Sequence, residues 1–168
     1  KKYWSKRQNA QTQLTETAEK YLCLNNLALQ GRPDDLVITT HVCRGNYHST
    51  WASSGGYEPI AEILFGNELV DGFYLEFDDE RSGGFEPLRF IPDDKKVVLG
   101  LLTSKSPLLE DEETIIRRIH EAAKFVSLEN LCLSPQCGFA SCEIGNKLTD
   151  EEQWKKLALV RKIAEKVW

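Results

Sequence analysis

The sequence predicts an α/β fold in which parallel strands alternate with helices. Four short runs rich in apolar and β-branched residues have the length of buried strands. Segments with a helical spacing of apolar residues separate these runs, so that one helix precedes four strand–helix units. That order favours a parallel sheet with right-handed crossover connections.

The first part of the chain begins with a helix. Apolar residues recur at helical spacing over residues 11–30, which predicts an amphipathic helix with Cys23 on its buried side. A turn then leads into the first strand, residues 36–41, which is predicted to be buried. A long loop over residues 44–56 and a short helix over residues 58–65 complete this unit.

The second part repeats the alternation. The second strand is predicted over residues 72–76 and the third over residues 96–102. A helix over residues 112–126 follows, and the fourth strand is predicted over residues 131–134. Thr149 begins the closing helix with a capping-box pattern.

Four such units amount to half of a (β/α)8 barrel, which needs roughly 250 residues. The chain has 168 residues and is too short to close a barrel alone. Either the other half of the barrel lies outside this chain, or the units form a smaller open sheet; we favour the first interpretation. The chain begins with Lys1 and contains no methionine, so we expect a single domain over residues 1–168 that is a piece of a longer protein.

Composition excludes several classes of protein. The net charge is -5 with acidic and basic residues interspersed, which argues against a nucleic-acid partner. No apolar run approaches the ~20 residues of a membrane helix. An odd number of cysteines, five, fits a secreted disulfide framework poorly, so we expect free thiols in a cytoplasmic protein. Cys132 is predicted to lie in the core and Cys142 in a loop.

Potential metal ligands stand where predicted strands end. His41 and Cys43 are two positions apart on extended backbone and therefore point to the same side. Glu76 ends the second strand, and Cys137 follows the fourth. Because the C-terminal ends of parallel strands open on one face, these side chains are predicted to converge there. One imidazole, one carboxylate and two thiolates suit Zn²⁺.

Other interpretations of these residues remain open. His41 and Cys43 could be an ordinary strand end, and Glu76 begins an acidic run in which Asp78, Asp79 or Glu80 could serve as the ligand instead. His48 is a loop residue or a residue of the site's mouth, and His120 is predicted to be structural.

Two further features concern the same face of the sheet. Lys105 ends the third strand there, either as a proton donor or anion-binding group or as a solvated lysine beside a turn. Three aromatic residues either flank a flat methyl donor such as a pterin or pack a loop, and they are Trp51, Tyr57 and Phe85.

Four segments of the chain resemble the C-terminal half of the catalytic barrel of the cobalamin-independent methionine synthase superfamily, and most of all its short bacterial methionine-synthase-like proteins. They are His-Val-Cys-Arg-Gly-Asn at 41–46, Asp-Gly-Phe-Tyr-Leu-Glu at 71–76, Ser-Lys-Ser-Pro at 104–107 and Ser-Pro-Gln-Cys-Gly at 134–138. They occur in the order that the family has and span nearly the whole chain after the first helix.

The resemblance implies a (β/α)8 TIM barrel whose Zn²⁺ is bound by His41, Cys43, Glu76 and Cys137. It also implies methyl transfer from methyltetrahydrofolate, or a related methyl carrier, to the thiol of homocysteine, which gives methionine. Lys105 stands where the family's full-length enzymes carry a histidine that would protonate the leaving nitrogen, which makes it the candidate catalytic residue.

The chain also departs from those enzymes. Its connection between Cys43 and Glu76 is longer, and the upstream strands that supply substrate contacts are absent. The remaining half of the barrel is therefore an expected partner, and the isolated chain is expected to have little activity. Alternative functions are zinc-dependent alkyl transfer to another thiol such as coenzyme M, and a non-catalytic module with structural zinc.

Overall fold

The computed structural model describes residues 2–168, with side chains described for residues 12–168. In that part of the chain the helices and strands are α1 (Lys2–Ala28), β1 (Thr39–Val42), α2 (Ala61–Asn67), β2 (Gly72–Glu76), β3 (Lys96–Leu102), α3 (Glu112–Ala122), β4 (Leu131–Pro135) and α4 (Asp150–Val167). Short 3₁₀ helices lie at Glu80–Ser82, Glu86–Phe90 and Leu128–Asn130. None of the helices in this part is both long and apolar enough to cross a membrane.

The four strands form one parallel sheet in the order β1-β2-β3-β4. The predicted α/β fold with a parallel sheet is therefore confirmed. The register aligns four residues in one row across the sheet, which are His41, Tyr74, Val98 and Cys132. Two residues further towards the C-terminal ends, another row contains Glu76, Gly100 and Ser134.

The hydrophobic core lies on one face of this sheet. Alternate strand residues such as Phe73, Leu75 and Leu99 are fully or almost fully buried. They belong to one cluster with apolar residues of the helices, including Phe65, Ile119 and Ile163. The burial of this face stabilises the unit, because removing apolar surface from water contributes about 25 cal/mol per Å².

The opposite face of the sheet is more open. Tyr74 in the middle of β2 is 41% exposed, and Cys132 in the same row is also exposed. The prediction that Cys132 lies in the core is therefore wrong. Strand periodicity assigns Cys132 to a face of the sheet, but it does not say whether other elements cover that face.

The first strand differs from its prediction as well. It spans Thr39–Val42, whereas Leu36 and Val37 lie before it and are 49% and 74% exposed. A strand is confirmed over residues 39–41, but its predicted start at residue 36 is wrong. Its predicted burial is also wrong, because β1 is an edge strand of the described sheet and its residues are exposed or half-buried.

The helices follow the predicted order with shifted ends. In α1 the half-buried stripe contains Ala18 and Leu22, and Leu29 continues it just after the helix. Cys23 is exposed, so its predicted packing role is wrong. Gln11, where this helix was predicted to begin, is helical but has a side chain outside the described set. The capping box at Thr149 is confirmed, because its side chain and that of Glu152 bond each other's backbone nitrogens.

Candidate metal centre

The four predicted ligands meet above the C-terminal ends of the strands. His41 lies in β1, Cys43 follows that strand directly, Glu76 is the last residue of β2, and Cys137 follows β4. One donor atom from each of the four lies within 4.8 Å of all the others. Residues up to 96 positions apart in the chain are therefore brought together at one rim of the sheet.

The distances between donor atoms suit a shared ion. Sγ of Cys137 lies 3.4 Å from Sγ of Cys43 and 3.4 Å from Nε2 of His41. Ligands of tetrahedral zinc at the usual bond lengths lie roughly 3.3–3.8 Å apart. The contact of 2.6 Å between Sγ of Cys137 and Oε1 of Glu76 is shorter, since a thiol proton joins those two atoms. A metal ion would take the place of that proton.

The backbone at Cys137 adopts a conformation that side chains disfavour. Its φ is +51°, and the next residue, Gly138, has φ +73°. A non-glycine residue in the left-handed region costs about 1–2 kcal/mol. Such conformations persist where surrounding contacts fix them, and they are concentrated at functional sites.

Two of the candidate ligands are oriented by main-chain groups on the neighbouring strand or turn. Nδ1 of His41 lies 3.1 Å from the carbonyl oxygen of Tyr74. Because a carbonyl only accepts hydrogen bonds, this nitrogen carries the proton and Nε2 presents its lone pair to the other ligands. The main-chain nitrogen of Gly45 donates to Sγ of Cys43 over 3.2 Å.

The other two candidate ligands, Glu76 and Cys137, accept hydrogen bonds. The main-chain nitrogen of Arg44 donates to Oε1 of Glu76 over 3.0 Å, and Nε2 of Gln136 donates to Sγ of Cys137 over 3.1 Å. Each of the four candidate ligands therefore has a partner that fixes its orientation, and such partners are usual for residues that bind a metal. The second carboxylate oxygen of Glu76, Oε2, is buried and has no hydrogen-bond partner among the described residues.

Burial and hydrogen bonding shift the pKa values of two ligands in opposite directions. Burial alone would raise the pKa of Glu76, but hydrogen bonds from Cys137 and from the Arg44 amide outweigh it and hold that pKa below its usual value. Burial, followed by the nearby Glu76 carboxylate, raises the pKa of the Cys137 thiol well above its ordinary range. Cys137 therefore carries a proton that a cation would displace.

A buried arginine and tyrosine lie behind Glu76. Nη1 of Arg44 donates to the hydroxyl of Tyr57 over 2.9 Å and lies 3.7 Å from Oε2 of Glu76. The guanidinium carbon is 4.1 Å from the centre of the Tyr57 ring. The Tyr57 hydroxyl in turn accepts from the main-chain nitrogen of Glu76 over 2.8 Å, and burial raises its pKa to about 12.

Two asparagines connect the loops that follow the outer strands. The side-chain nitrogen of Asn146 donates to Oδ1 of Asn46 over 2.9 Å and to the carbonyl oxygen of Ser104 over 2.7 Å. Asn46 donates to the carbonyl oxygen of Gly138 over 3.0 Å. We call this pair the asparagine clasp. It holds the loop after Cys43 against the segment that follows Cys137.

The alternative ligands that the sequence allowed lie outside the group of four. Asp78 and Asp79 both pair with Arg81, at 3.0 and 2.8 Å. Burial raises the pKa of Asp78, although the nearby Lys105 opposes that rise. The two histidines also lie elsewhere: Nδ1 of His48 is 3.1 Å from the carbonyl oxygen of Gly145, and His120 is exposed on α3. Cys142 is half-buried in the loop after β4, as predicted.

Of the three aromatic residues that were candidates for contacting a flat methyl donor, two pack in the core and one is exposed. Tyr57 and Phe85 are 3% and 7% exposed and belong to the core. Trp51 is half exposed, and the guanidinium of Arg81 lies 5.0 Å from its ring centre. Packing therefore accounts for two of the three residues.

An open cleft of about 240 Å³ lies beside the four ligands. It is bordered by the exposed side chain of Tyr74, the ends of β3 and β4, and the segment from Gln136 to Gly138.

Sequence reasoning missed Gln136 and the asparagine clasp. The only available signal was position, because Asn46 lies three residues after Cys43 and Gln136 directly precedes Cys137.

The chain belongs to a known protein family. The chain matches the family described as cobalamin-independent synthase, catalytic domain, over residues 3–166. It is similar to two uncharacterised proteins of Bacillus subtilis (strain 168), YxjH at 59% identity and YxjG at 57%, each over 144 residues. Each match covers 85% of this chain and 38% of the relative. The chain thus spans well under half the length of the curated relatives that it matches.

Solved structures give the same result for the fold. A protein from Listeria monocytogenes, provisionally assigned as a vitamin-B12-independent methionine synthase, is 45% identical with a TM-score of 0.70, over 90% of this chain and 41% of that one. A B12-independent methionine synthase from Shewanella sp. W3-18-1 in complex with selenomethionine matches at TM-score 0.69 and 22% identity, over 87% and 42%. The predicted correspondence to half of a larger barrel is confirmed.

Proposed function

We infer the function of this chain from the family to which it belongs, that of the cobalamin-independent synthase catalytic domains, and we propose that it is the zinc-bearing half of a thiol methyltransferase. The observation that carries the proposal is the convergence of His41, Cys43, Glu76 and Cys137, whose donor atoms lie within 4.8 Å of one another. The acceptor would be the thiol of homocysteine and the donor methyltetrahydrofolate or a related methyl carrier.

The residues present suit a zinc ion. Nitrogen and sulfur donors are the ligands that zinc prefers, and a carboxylate is common at catalytic sites. Sγ of Cys137 lies close to Oε1 of Glu76, and Oε2 of Glu76 is buried without a hydrogen bond from the described residues. A cation bound here would interact with this buried carboxylate. A bound zinc ion would supply a substrate sulfur in its reactive thiolate form.

The chain's own residues would hold this site and control protons around it. Oε2 of Glu76 accepts no hydrogen bond from the described residues, and the buried guanidinium of Arg44 lies 3.7 Å from it. Glu76 would therefore be able to leave a ligand position to an arriving thiol while its hydrogen bond from the Arg44 main-chain nitrogen holds it in place. His41 and Cys43 are exposed on the open side, where a substrate could approach.

Methyl transfer also needs a proton. The substrate sulfur forms a bond to the methyl carbon while the bond from that carbon to the donor nitrogen breaks. The electron pair stays on that nitrogen, which takes up a proton to complete the product. We propose that Lys105 supplies this proton from Nζ or binds an anionic substrate group, because it follows β3 at the same rim and bonds to the neighbour of Cys137.

The remaining half of the barrel would complete the site. The open face of the sheet exposes Tyr74 and Cys132, and strands from outside this chain would cover it and supply substrate contacts. We therefore propose that residues 1–168 act as one domain of a longer cytoplasmic enzyme and that the isolated chain turns over little substrate. A reducing compartment would keep its five free cysteines in the thiol form.

Metal content tests the proposal directly. The chain should purify with close to one zinc per molecule, and Cys137→Ala should lose most of it because one ligand is missing. Cys142→Ala is the matched control, since this thiol lies outside the group, and it should retain the metal. Equal zinc content in the two variants would contradict the proposed site.

The same scaffold could serve another thiol such as coenzyme M, or hold structural zinc without catalysis. A structural site is closed and gains no ligand. If the site is catalytic, as we propose, added homocysteine should instead bind at the metal. It should be alkylated when the other half of the barrel is present. If coenzyme M is alkylated instead, the acceptor is wrong but the class of reaction stands; if neither thiol binds the metal, the structural role is favoured.

A further inference from the structure

Gln136 is a buried polar residue that the proposed function does not use. Its side chain lies between two residues of the site and is 1% exposed. Nε2 donates to Sγ of Cys137 over 3.1 Å, and Oε1 accepts from Nζ of Lys105. Gln136 therefore connects a lysine at the mouth to a candidate metal ligand through a single amide.

The chemistry of lysine fixes the orientation of this amide. A lysine ammonium group carries donors and no acceptor, so the amide oxygen must face Lys105. The amide nitrogen then faces Cys137, and its N–H group points at the sulfur. The arrangement thus does not depend on a choice between two amide orientations of similar quality.

The neighbouring strand makes room for this side chain. The register between β3 and β4 shifts between Gly100 and Leu102, and the main-chain nitrogen of Gln136 donates to the carbonyl oxygen of Leu102 over 2.7 Å. A methyl group at Gly100 would lie 3.2 Å from Cα of Gln136 and 2.9 Å from the carbonyl oxygen of Leu75. The glycine therefore permits the close approach that buries Gln136 beside the site.

We propose that Gln136 is a positioning residue that holds the Cys137 sulfur by an N–H···S hydrogen bond and transmits the charge of Lys105 to it. This inference rests on the metal centre of the proposed function. The donor N–H lowers the energy of the sulfur lone pairs, and the ammonium group strengthens that donor by polarising the amide. Lys105 therefore acts on Cys137 through Gln136, while Gln136 also fixes the ammonium group at the mouth.

Cobalt(II) in place of zinc makes the sulfur environment visible. The sulfur-to-cobalt charge-transfer band should move to longer wavelength in Gln136→Leu, because the sulfur electrons are easier to remove without the hydrogen bond. Loss of a residue that hydrogen-bonds to a metal ligand should also weaken metal binding by roughly 10- to 100-fold. Gln136→Glu keeps the shape of the side chain but presents no N–H to the sulfur, so it should shift the band in the same direction if the leucine variant does not fold.

A second lysine provides the control for charge. Lys105→Met should shift the band less than Gln136→Leu, and it should cause no further shift when Gln136 is already leucine. Lys147→Met removes the same charge from the loop after β4, where the Lys147 main-chain nitrogen binds Ser49, and should leave the band in place.

The outcomes distinguish the proposed role of Gln136 from the proposed metal centre. A cobalt band that is present but unchanged in both Gln136 variants would overturn the role of Gln136 and leave the metal centre standing. A Lys105→Met shift of equal size in the Gln136→Leu background would show that the lysine acts directly through space, which overturns transmission by the amide. Absence of any sulfur-to-cobalt band in the unaltered protein would overturn the metal centre and this inference with it.

Discussion

The main-chain nitrogen of Arg44 donates a hydrogen bond to Oε1 of Glu76 across 3.0 Å, so the residue that follows Cys43 holds another candidate ligand. The side chain of Arg44 reaches the same glutamate, with Nη1 at 3.2 Å from its carbonyl oxygen. Tyr57 completes the unit, because its hydroxyl accepts from the Glu76 main-chain nitrogen and donates to the carbonyl oxygen of Val42 over 3.2 Å. The ends of β1 and β2 are thereby fixed relative to each other.

Removing the Tyr57 hydroxyl should destabilise the fold. Tyr57→Phe leaves the buried Glu76 nitrogen and the Arg44 guanidinium without a shared partner, which should lower the free energy of unfolding by about 1–3 kcal/mol. Urea denaturation followed by circular dichroism measures this change. Tyr21→Phe is the control, since Tyr21 is 66% exposed on α1, and it should have almost no effect. Similar decreases in the free energy of unfolding for the two variants would show that the hydrogen bonds of the buried Tyr57 hydroxyl do not stabilise the fold.

Alkaline pH should remove the contribution of the same residue. Burial raises the pKa of Tyr57 to about 12 from an ordinary value of 10.0, so the folded state favours the neutral phenol. This contribution, about 3 kcal/mol at 1.36 kcal/mol per pKa unit, is fully present below pH 10 and lost as pH rises through 12. The stability difference between the unaltered protein and Tyr57→Phe should therefore shrink over that interval. A difference that stays constant from pH 9 to pH 12 would contradict the raised pKa.

The sequence located the candidate ligands because strand ends carry local signals. Glu76 could be placed from the apolar run before it, and the two-residue spacing of His41 and Cys43 gave their common side. The topology of a parallel sheet then brought the distant Cys137 to the same rim. This reasoning needs only the direction and order of the strands.

Contacts between distant loops could not be predicted in this way. The asparagine clasp joins residues 100 positions apart, and no periodicity marks either partner. The errors at Cys23 and Cys132 have a related cause. Hydrophobic spacing indicates which residues share a face, but the exposure of that face depends on elements that pack against it from elsewhere in the protein.

The asparagine clasp should support metal binding. Asn146→Ala removes two donated bonds and the oxygen that accepts from the Ser49 main-chain nitrogen, so the loops beside Cys43 and Cys137 would move more freely. We expect the affinity for zinc to fall roughly 10-fold, as for other outer partners of a metal site.

A double-mutant cycle tests whether the two asparagines act together. Asn46→Ala should also weaken zinc binding, and the double variant should lose less than the sum of the two single losses, because either single change already breaks the bond between them. Competition with a chelator measures the affinities. Asn130→Ala is a suitable control, since its side chain bonds Asp93 at the other end of the sheet. Fully additive losses for the two asparagines would count against a shared role.

Metal binding should release protons and should strengthen as pH rises. Burial and the Glu76 carboxylate raise the pKa of Cys137, so its thiol is protonated at neutral pH before metal arrives. A metal ion must displace that proton, and each step up in pH makes the displacement easier. Calorimetric titration of zinc in buffers with different ionisation enthalpies should give net proton release across neutral pH. In Cys137→Ala the release should fall by about one proton per ion bound, because that thiol is missing. If zinc binds this variant with undiminished proton release, the displaced protons come from elsewhere, and the raised pKa of Cys137 does not control the affinity.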